Sequence, residues 1–382
     1  MKCKLSDICS FRKGKVEVEN LNAKNYISTE NMLPNKCGIT EVSSLPTVSL
    51  TQEYKYGDVL VSNIRPYFKK IWQAQYDGGC SNDVLVFVPK PNTDKDFLYY
   101  VLADDDFFTY SMATSKGTKM PRGDKTSIMQ YEVPLIDLQV QKKIASVLKA
   151  LDEKIELNNK INNNLLEQVL TLYRNRFVDT VNDERRICRA DEYFDISIGK
   201  TPPRKEPQWF STNPQDVTWV SISDMGTCGL YISSSSEQLT REAVDRHNVK
   251  VVPDNTVLLS FKLTVGRIAI TNGEMTTNEA IAHFKTDKKE INEYLYCYLK
   301  CFNYQTMGST SSIATAVNSK IIKGMPFVVP TDNELKEFHD LAAPMFANIK
   351  ANQIETDNLV ALRDTLLPKL MSGELDVSDI DL

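Results

Sequence analysis

The sequence predicts an α+β protein: two mixed α/β modules separated by two long antiparallel coiled-coil helices, with a pseudo-twofold internal repeat. Three observations lead there. The stretch 138–177 has no Pro or Gly, and its apolar residues alternate gaps of four and three. That spacing returns near the C-terminus, shifted by 194 positions, so that Leu151 falls on Met345 and Ile155 on Ile349. The order strand, strand, turn, helix, loop precedes both stretches, and self-similarity at a fixed period signals a structural repeat.

The first module is expected over 1–137. Strand-like runs lie at Asp58–Ser62 and Lys70–Ala74, and 78–89 reads as a turn followed by a strand. Residues 96–113 are helix-like with one apolar side. A polar, basic loop over 117–136 returns through a strand to Pro134.

The first long helix occupies 138–178. Its seam is Ile144, Leu148, Leu151, Ile155, Asn158, Asn162, Leu165, Val169 and Leu172. This narrow stripe is that of a coiled coil rather than a broad globular face. About 40 helical residues span roughly 60 Å, a length that has to pack on something.

The second module is expected over 179–330. Residues 254–261 and 266–273 match the two strands, and Thr277-Asn278-Glu279 answers Ser81-Asn82-Asp83. Leu295–Leu299 answers Leu98–Leu102, and the polar stretch 308–330 answers the basic loop. The modules diverge in their opening polar segments, 20–40 and 197–225, as two readers of different targets would.

The second helix, with an acidic tail, occupies 331–382. Its seam is Phe338, Ala342, Met345, Ile349, Asn352, Thr356, Leu359, Arg363 and Leu366. Asn158 and Asn352 share one step, and facing each other they would hold the register, since a seam Asn opposes slippage at some cost in stability. Pro344 predicts a kink or a start near that residue, and hence unequal rods. Two antiparallel rods would place the modules at opposite ends.

Composition is that of a globular chain of 382 residues, 42% hydrophobic and 25% charged. No run has membrane-spanning length and the N-terminus has no signal-peptide core, so a cytoplasmic protein without a membrane partner is expected. The eight Cys are scattered without a CxxC pair, which suits structural thiols and no metal site. The net charge is −5, but 331–382 carries eleven acidic and four basic residues, leaving the rest at +2. Overall charge therefore does not exclude nucleic acid.

Catalytic motifs are scarce. Gly199-Lys200-Thr201 lacks the earlier Gly of a phosphate-binding loop, because position 194 is Phe. Pro202-Pro203 lies outside any methyltransferase motif, and His247, His283 and His339 stand apart from nucleophile motifs. No catalytic residue is assigned. The candidates for DNA contact are basic: Arg65, Lys69 and Lys70 between two strands, and Lys116, Lys119, Arg122 and Lys125 in one loop. In the second module they are Lys200, Arg204, Lys205, Lys262, Arg267, Lys320 and Lys323. Mobile basic loops on a scaffold suit phosphate contacts and base-edge readout.

Over essentially its whole length the chain resembles the specificity (S) subunit of type I restriction-modification enzymes. QKKIASVLKALDEKIELNNKINNNLLEQ (141–168) looks like that family's central helix, and LRDTLLPKLMSGEL (362–375) is similar to its C-terminal signature. GKTPPR (199–204) and TVGRIAI (264–270) resemble its target recognition domains. The resemblance implies that each module reads half of a bipartite double-stranded DNA site. The helices would set the gap and dock two methyltransferase (M) subunits, with restriction (R) subunits joining. S-adenosylmethionine, ATP and magnesium would belong to those partners, leaving this chain non-catalytic and without a cofactor. The competing readings are a scaffold of the same ancestry that has lost DNA reading, and a self-sufficient nuclease or methyltransferase.

Overall fold

The computed structural model describes residues 2–180, 182, 185–307 and 317–377. The chain divides into two compact units, Met1–Ile155 with Asn358–Leu382, and Glu156–Asp357. Each unit thus holds one module and parts of both long helices.

In the first unit, strand Lys2–Lys4 pairs antiparallel with Glu132–Pro134 and closes the module. A four-stranded antiparallel sheet follows in the order Cys9–Phe11, Val84–Pro89, Val59–Ser62, Ile71–Gln73. A second sheet runs Lys15–Glu17, Leu50–Tyr54, Gly78–Cys80, Tyr26–Ile27, its last pair parallel. Successive side chains on a strand point to opposite faces. Val59 and Val61 accordingly enter the core with Phe97, Phe107, Ile144, Leu148, Leu367 and Leu370, while Leu60 joins Tyr54 and Trp72 on the other side. Both faces are covered, which is why all four residues of Val59–Ser62 are buried. The helix-like stretch 96–113 is two helices, Lys95–Ala103 and Asp105–Ala113. Asp104 has extended backbone and accepts from the Asp106 amide, so it caps the second helix and ends the first.

The second unit repeats the plan. Strand Arg186–Arg189 pairs with Pro326–Val329. The main sheet runs Asp195–Ile198, Ile281–Lys285, Val257–Ser260, Ile268–Thr271, with an added parallel strand Tyr231–Ile232 at its edge. The Gln353 side chain bonds both the Tyr231 amide and carbonyl, tying that strand to the C-terminal helix. Val257 and Leu259 face one core and Leu258 another, as in the first module. Of the polar stretch 308–330, residues 308–316 lie outside the described residues.

The central helix spans Leu138–Tyr173 and continues as a π-type stretch over Arg174–Val178. The C-terminal helix spans Asp332–Ser372. It passes through Pro344, so the expected start near that residue is corrected. Thr331 and Glu334 form a capping box that sets the start at Asp332: the Thr331 amide donates to the Glu334 carboxylate, and the Glu334 amide to Thr331 Oγ1. The helix is 41 residues long, against 36 for the central helix before its five-residue π stretch.

Within each unit the helix segments pair antiparallel. In the first, Arg363 bonds Asp152 at 2.8 Å, and Ile144 and Leu148 share a core with Leu367 and Leu370. In the second, partners fall from Thr356 opposite Asn158, through Asn352 opposite Asn162, to Glu337 opposite Arg176. Asn158 and Asn352 therefore do not face each other, contrary to expectation. Asn158 donates to Glu355 at 2.8 Å and Thr356 at 3.4 Å, and Asn352 to Asn162 at 2.9 Å. The repeat shift carries Asn158 onto Asn352 and Asn162 onto Thr356, so the two bonds are copies of each other. In an antiparallel pair only residues at the centre of the pairing meet their own repeats.

Seam burial varies along the helices. Ile144, Leu148, Asn158, Val169 and Ile349 are buried. Leu151, Ile155, Asn162, Leu165, Leu172, Met345, Asn352, Leu359 and Leu366 are only half-buried. Toward their ends the helices bury a second row, including Leu170, Phe346 and Leu370, because the modules pack there as well.

Candidate nucleic-acid interface

In the first module the structure brings seven predicted basic residues into neighbouring loops. The loop holding Arg65, Lys69 and Lys70 joins Val59–Ser62 to Ile71–Gln73. Ile64 bridges Arg122, the Arg65 amide donates to Pro121 O at 2.8 Å, and the Gly123 amide donates to Asn63 O at 3.1 Å. The loop of Lys116, Lys119, Arg122 and Lys125 is thus pinned to the hairpin, more so than the mobile loop expected. Gly123 is required by this close approach, since a Cβ there would lie 2.7 Å from Asn63 Oδ1. A third loop joins them, its Asn35 and Lys36 amides donating to Phe68 O and Lys69 O.

The charges differ in availability. Lys69 and Lys36 share the Asp105 carboxylate at 2.7 and 2.9 Å. Lys70 donates to Thr29 O at 2.6 Å, and burial lowers its pKa. Lys116 pairs with Asp124 at 2.5 Å and Arg122 with Asp83 at 3.2 Å. Lys119 and Lys125 are exposed, and among the described residues no carboxylate lies within ion-pair distance of either. Arg65 is half-buried, with an Nε that has no partner.

In the second module Arg204, Lys262 and the backbone of Lys200 gather around the Thr277-Asn278-Glu279 turn, while the Lys200 ammonium donates to His247 O at 2.6 Å. The Lys200 amide donates to Thr277 O at 2.9 Å, Thr201 bonds Glu279, and the Lys262 and Arg204 charges act on Glu279. Burial raises the Glu279 pKa, but these donors and charges bring it below the ordinary carboxylate range. Gly199 admits no side chain, because a Cβ would meet Thr277 Oγ1 at 2.1 Å. Beneath the turn, His283 is fully buried between Ser197 Oγ (3.0 Å) and Thr277 Oγ1 (2.7 Å). Burial, helped by the Lys285 charge, pushes its pKa down to about 3, so it is neutral at pH 7.

Not every basic candidate is free. Arg204 is held by both Glu237 oxygens and stacks on Phe210 and Trp219, with its guanidinium 4.1 and 4.7 Å from the ring centroids. Arg267 donates to Ile222 O at 2.5 Å and lines a cleft of about 530 Å³ with Asn162, Tyr296 and Gln353. Lys205 is exposed. Lys320 and Lys323 sit on the short helix Ser319–Lys323, which packs against the turn Ala190–Tyr193 rather than the Thr277 turn.

Sequence reasoning missed Lys36 and the exposed Tyr67, Phe68 and Leu263 at the hairpin tips. The aromatic pair between Arg65 and Lys69 was the available signal; nothing in the sequence marks Leu263. Among the described residues no group of His, Cys, Asp and Glu could hold a metal, and no helix is long and apolar enough to cross a membrane.

The family described as Type I restriction modification DNA specificity domain matches residues 1–167 and again 184–356. The chain belongs to this family. Its two modules are therefore two copies of the specificity domain, each running into a long helix. The chain is similar to the type I restriction enzyme HindI specificity subunit of Haemophilus influenzae, with 23% identity covering 92% of this chain and 94% of the relative. It is 26% identical to the MjaIX specificity subunit of Methanocaldococcus jannaschii, covering 77% and 72%. The type I restriction-modification S subunit from M. genitalium shares its fold, with a TM-score of 0.57, 16% identity and coverage of 99% and 96%.

Proposed function

We propose that this chain is the DNA sequence-specificity subunit of a type I restriction-modification complex, each specificity domain reading one half of a bipartite site. The observation that carries this is the duplication. One framework occurs twice, and in each copy basic loops gather around corresponding elements, the inter-strand hairpin and the Ser81 or Thr277 turn. Phosphate contacts would position the domains, and groups reaching base edges would specify sequence.

In this reading the helix pair docks methyltransferase subunits, and restriction subunits join them in the cytoplasm. Methyl transfer to adenine and ATP-driven cleavage take place on those partners, which hold S-adenosylmethionine, ATP and magnesium. The chain itself is non-catalytic. Support comes from the side chains present: the one buried His is fully enclosed, and both its ring nitrogens are bonded to hydroxyls, Ser197 and Thr277, which leaves neither for an orienting carboxylate.

The test is a module exchange. The full chain is co-expressed with its methyltransferase subunit, and N6-methyladenine is mapped by sequencing. Replacing residues 179–330 by the second module of a relative should change one half of the methylated motif and keep the other. Changes in both halves refute independent reading. Absence of methylation in the unaltered complex favours a scaffold that has lost DNA reading.

A further inference from the structure

The hairpin in the main sheet of each module has an unusual tip. In the second module, residues 261–267 join Val257–Ser260 to Ile268–Thr271. Leu263 at this tip is 99% exposed, and its φ is 61°. A left-handed backbone strains any residue with a Cβ, and an apolar side chain in water gains nothing from burial. The tip is nevertheless held in place. Buried Ser260 donates through Oγ to Thr264 O at 2.6 Å, and the Gly266 and Arg267 amides donate back to Ser260 O and Oγ at 3.0 Å. Strain maintained by surrounding bonds is a mark of a functional position.

The first module repeats the arrangement with other side chains. Ser62 ends the matching strand, and its Oγ donates to Ile64 O at 3.1 Å. The tip presents Tyr67 and Phe68, 49% and 38% exposed, with ring centroids 4.7 Å apart. Arg65 and Lys69 flank them, both with φ of 50°. Thus both copies of one element place an apolar surface in solvent beside cationic side chains, on strained and bonded backbone.

We infer that the two hairpin tips are specificity-determining apolar contacts to the bases, Leu263 for one half-site and Tyr67 with Phe68 for the other. This rests on the DNA-reading function proposed above. Flanking cations, Arg65 in one tip and Lys262 in the other, bring the tips to the phosphates. The apolar surfaces that a duplex then offers are the thymine methyl group in the major groove and the faces of an opened base step. A side chain that touches either discriminates among bases without a hydrogen bond.

The test selects binders from a randomised duplex library with the full chain in complex with its methyltransferase subunit. Three proteins are compared: wild type, Leu263→Ala and the double variant Tyr67→Ala/Phe68→Ala. Wild type should enrich a bipartite motif. Leu263→Ala should lower the preference at one or two adjacent positions of one half by about 10-fold. The other half and the affinity for random duplex should be unchanged; the double variant should do the same to the opposite half. At the relaxed positions, uracil in place of thymine abolishes the wild-type preference if the methyl is read. A brightening of 2-aminopurine on binding marks an opened step instead, and either result supports the proposal. A variant motif identical to the wild-type motif overturns it, as does an equal loss of affinity for all sequences. If wild type enriches no motif, the DNA-reading function itself falls, and the tips with it.

Discussion

Removing the two unpaired lysines of the first module's basic loop should flatten the salt dependence of DNA binding by a calculable amount. Lys119 and Lys125 are exposed and free of carboxylate partners among the described residues, whereas Lys116 and Arg122 are paired with Asp124 and Asp83. Each phosphate contact contributes about −0.9 to the slope of log affinity against log salt. The variant Lys119→Ala/Lys125→Ala should therefore lose about 1.8 of that slope. Between 50 and 200 mM salt, wild-type affinity should fall about tenfold further than that of the variant. Extending the change to Lys116 and Arg122 removes up to about 3.6 of slope in total. It also strips Asp124 of the Lys116 bond that is the main cause holding its carboxyl down at about 2. The freed carboxylate then repels phosphate, so the fourfold variant should be weaker at low salt than slope alone requires. Exposed substitutions of this kind change stability by no more than about 0.5 kcal/mol, and unfolding should not interfere. The assay is fluorescence anisotropy of a labelled duplex over a salt series. Parallel lines for wild type and double variant would refute the idea that this loop faces the phosphates.

Arg185→Met should destabilise the second unit by about 3–5 kcal/mol, the usual cost of removing one partner of a buried ion pair. Arg185 binds Glu334 at the start of the C-terminal helix and the carbonyls of Arg176, Phe177 and Thr180 at the end of the central helix. Urea titration followed by tryptophan fluorescence measures it, and a change under about 1 kcal/mol would contradict a structural role. His283 predicts a pH dependence: its folded pKa of about 3 lies below the unfolded 6.5, so the unfolded chain binds more protons between those values. Stability is then complete above pH 6.5 and declines as pH falls, by about 2 kcal/mol at pH 5. His283→Asn should flatten urea midpoints between pH 6.5 and 5, and an unchanged slope in that variant speaks against the assignment. Replacing both Asn162 and Asn352 by Leu should leave stability equal or higher, since removing both partners of a polar pair strands no unsatisfied group. A melting-temperature drop of more than about 5 °C would show that the Asn bond holds the local packing.

Local chemistry determined much of this protein from sequence alone. The four-three spacing from Ile144 to Leu172 marked a helix seam because helical periodicity is a property of consecutive residues. The repeated order of strands marked two modules because each strand records its own burial pattern. Basic loops were visible because their charges lie within a few residues of one another. Partners were not. Antiparallel pairing set Asn158 against Thr356 and Asn352 against Asn162, a choice that a helix cannot make by itself. The Thr331–Glu334 box, not Pro344, chose where the second helix begins. Tertiary contacts also decided which cations remain available, tying Arg204 to Glu237 and Lys69 to Asp105 while leaving Lys119 exposed. Periodicity acts between neighbours along the chain, whereas ion pairing and exposure depend on groups tens or hundreds of residues away, and only the folded chain brings those together.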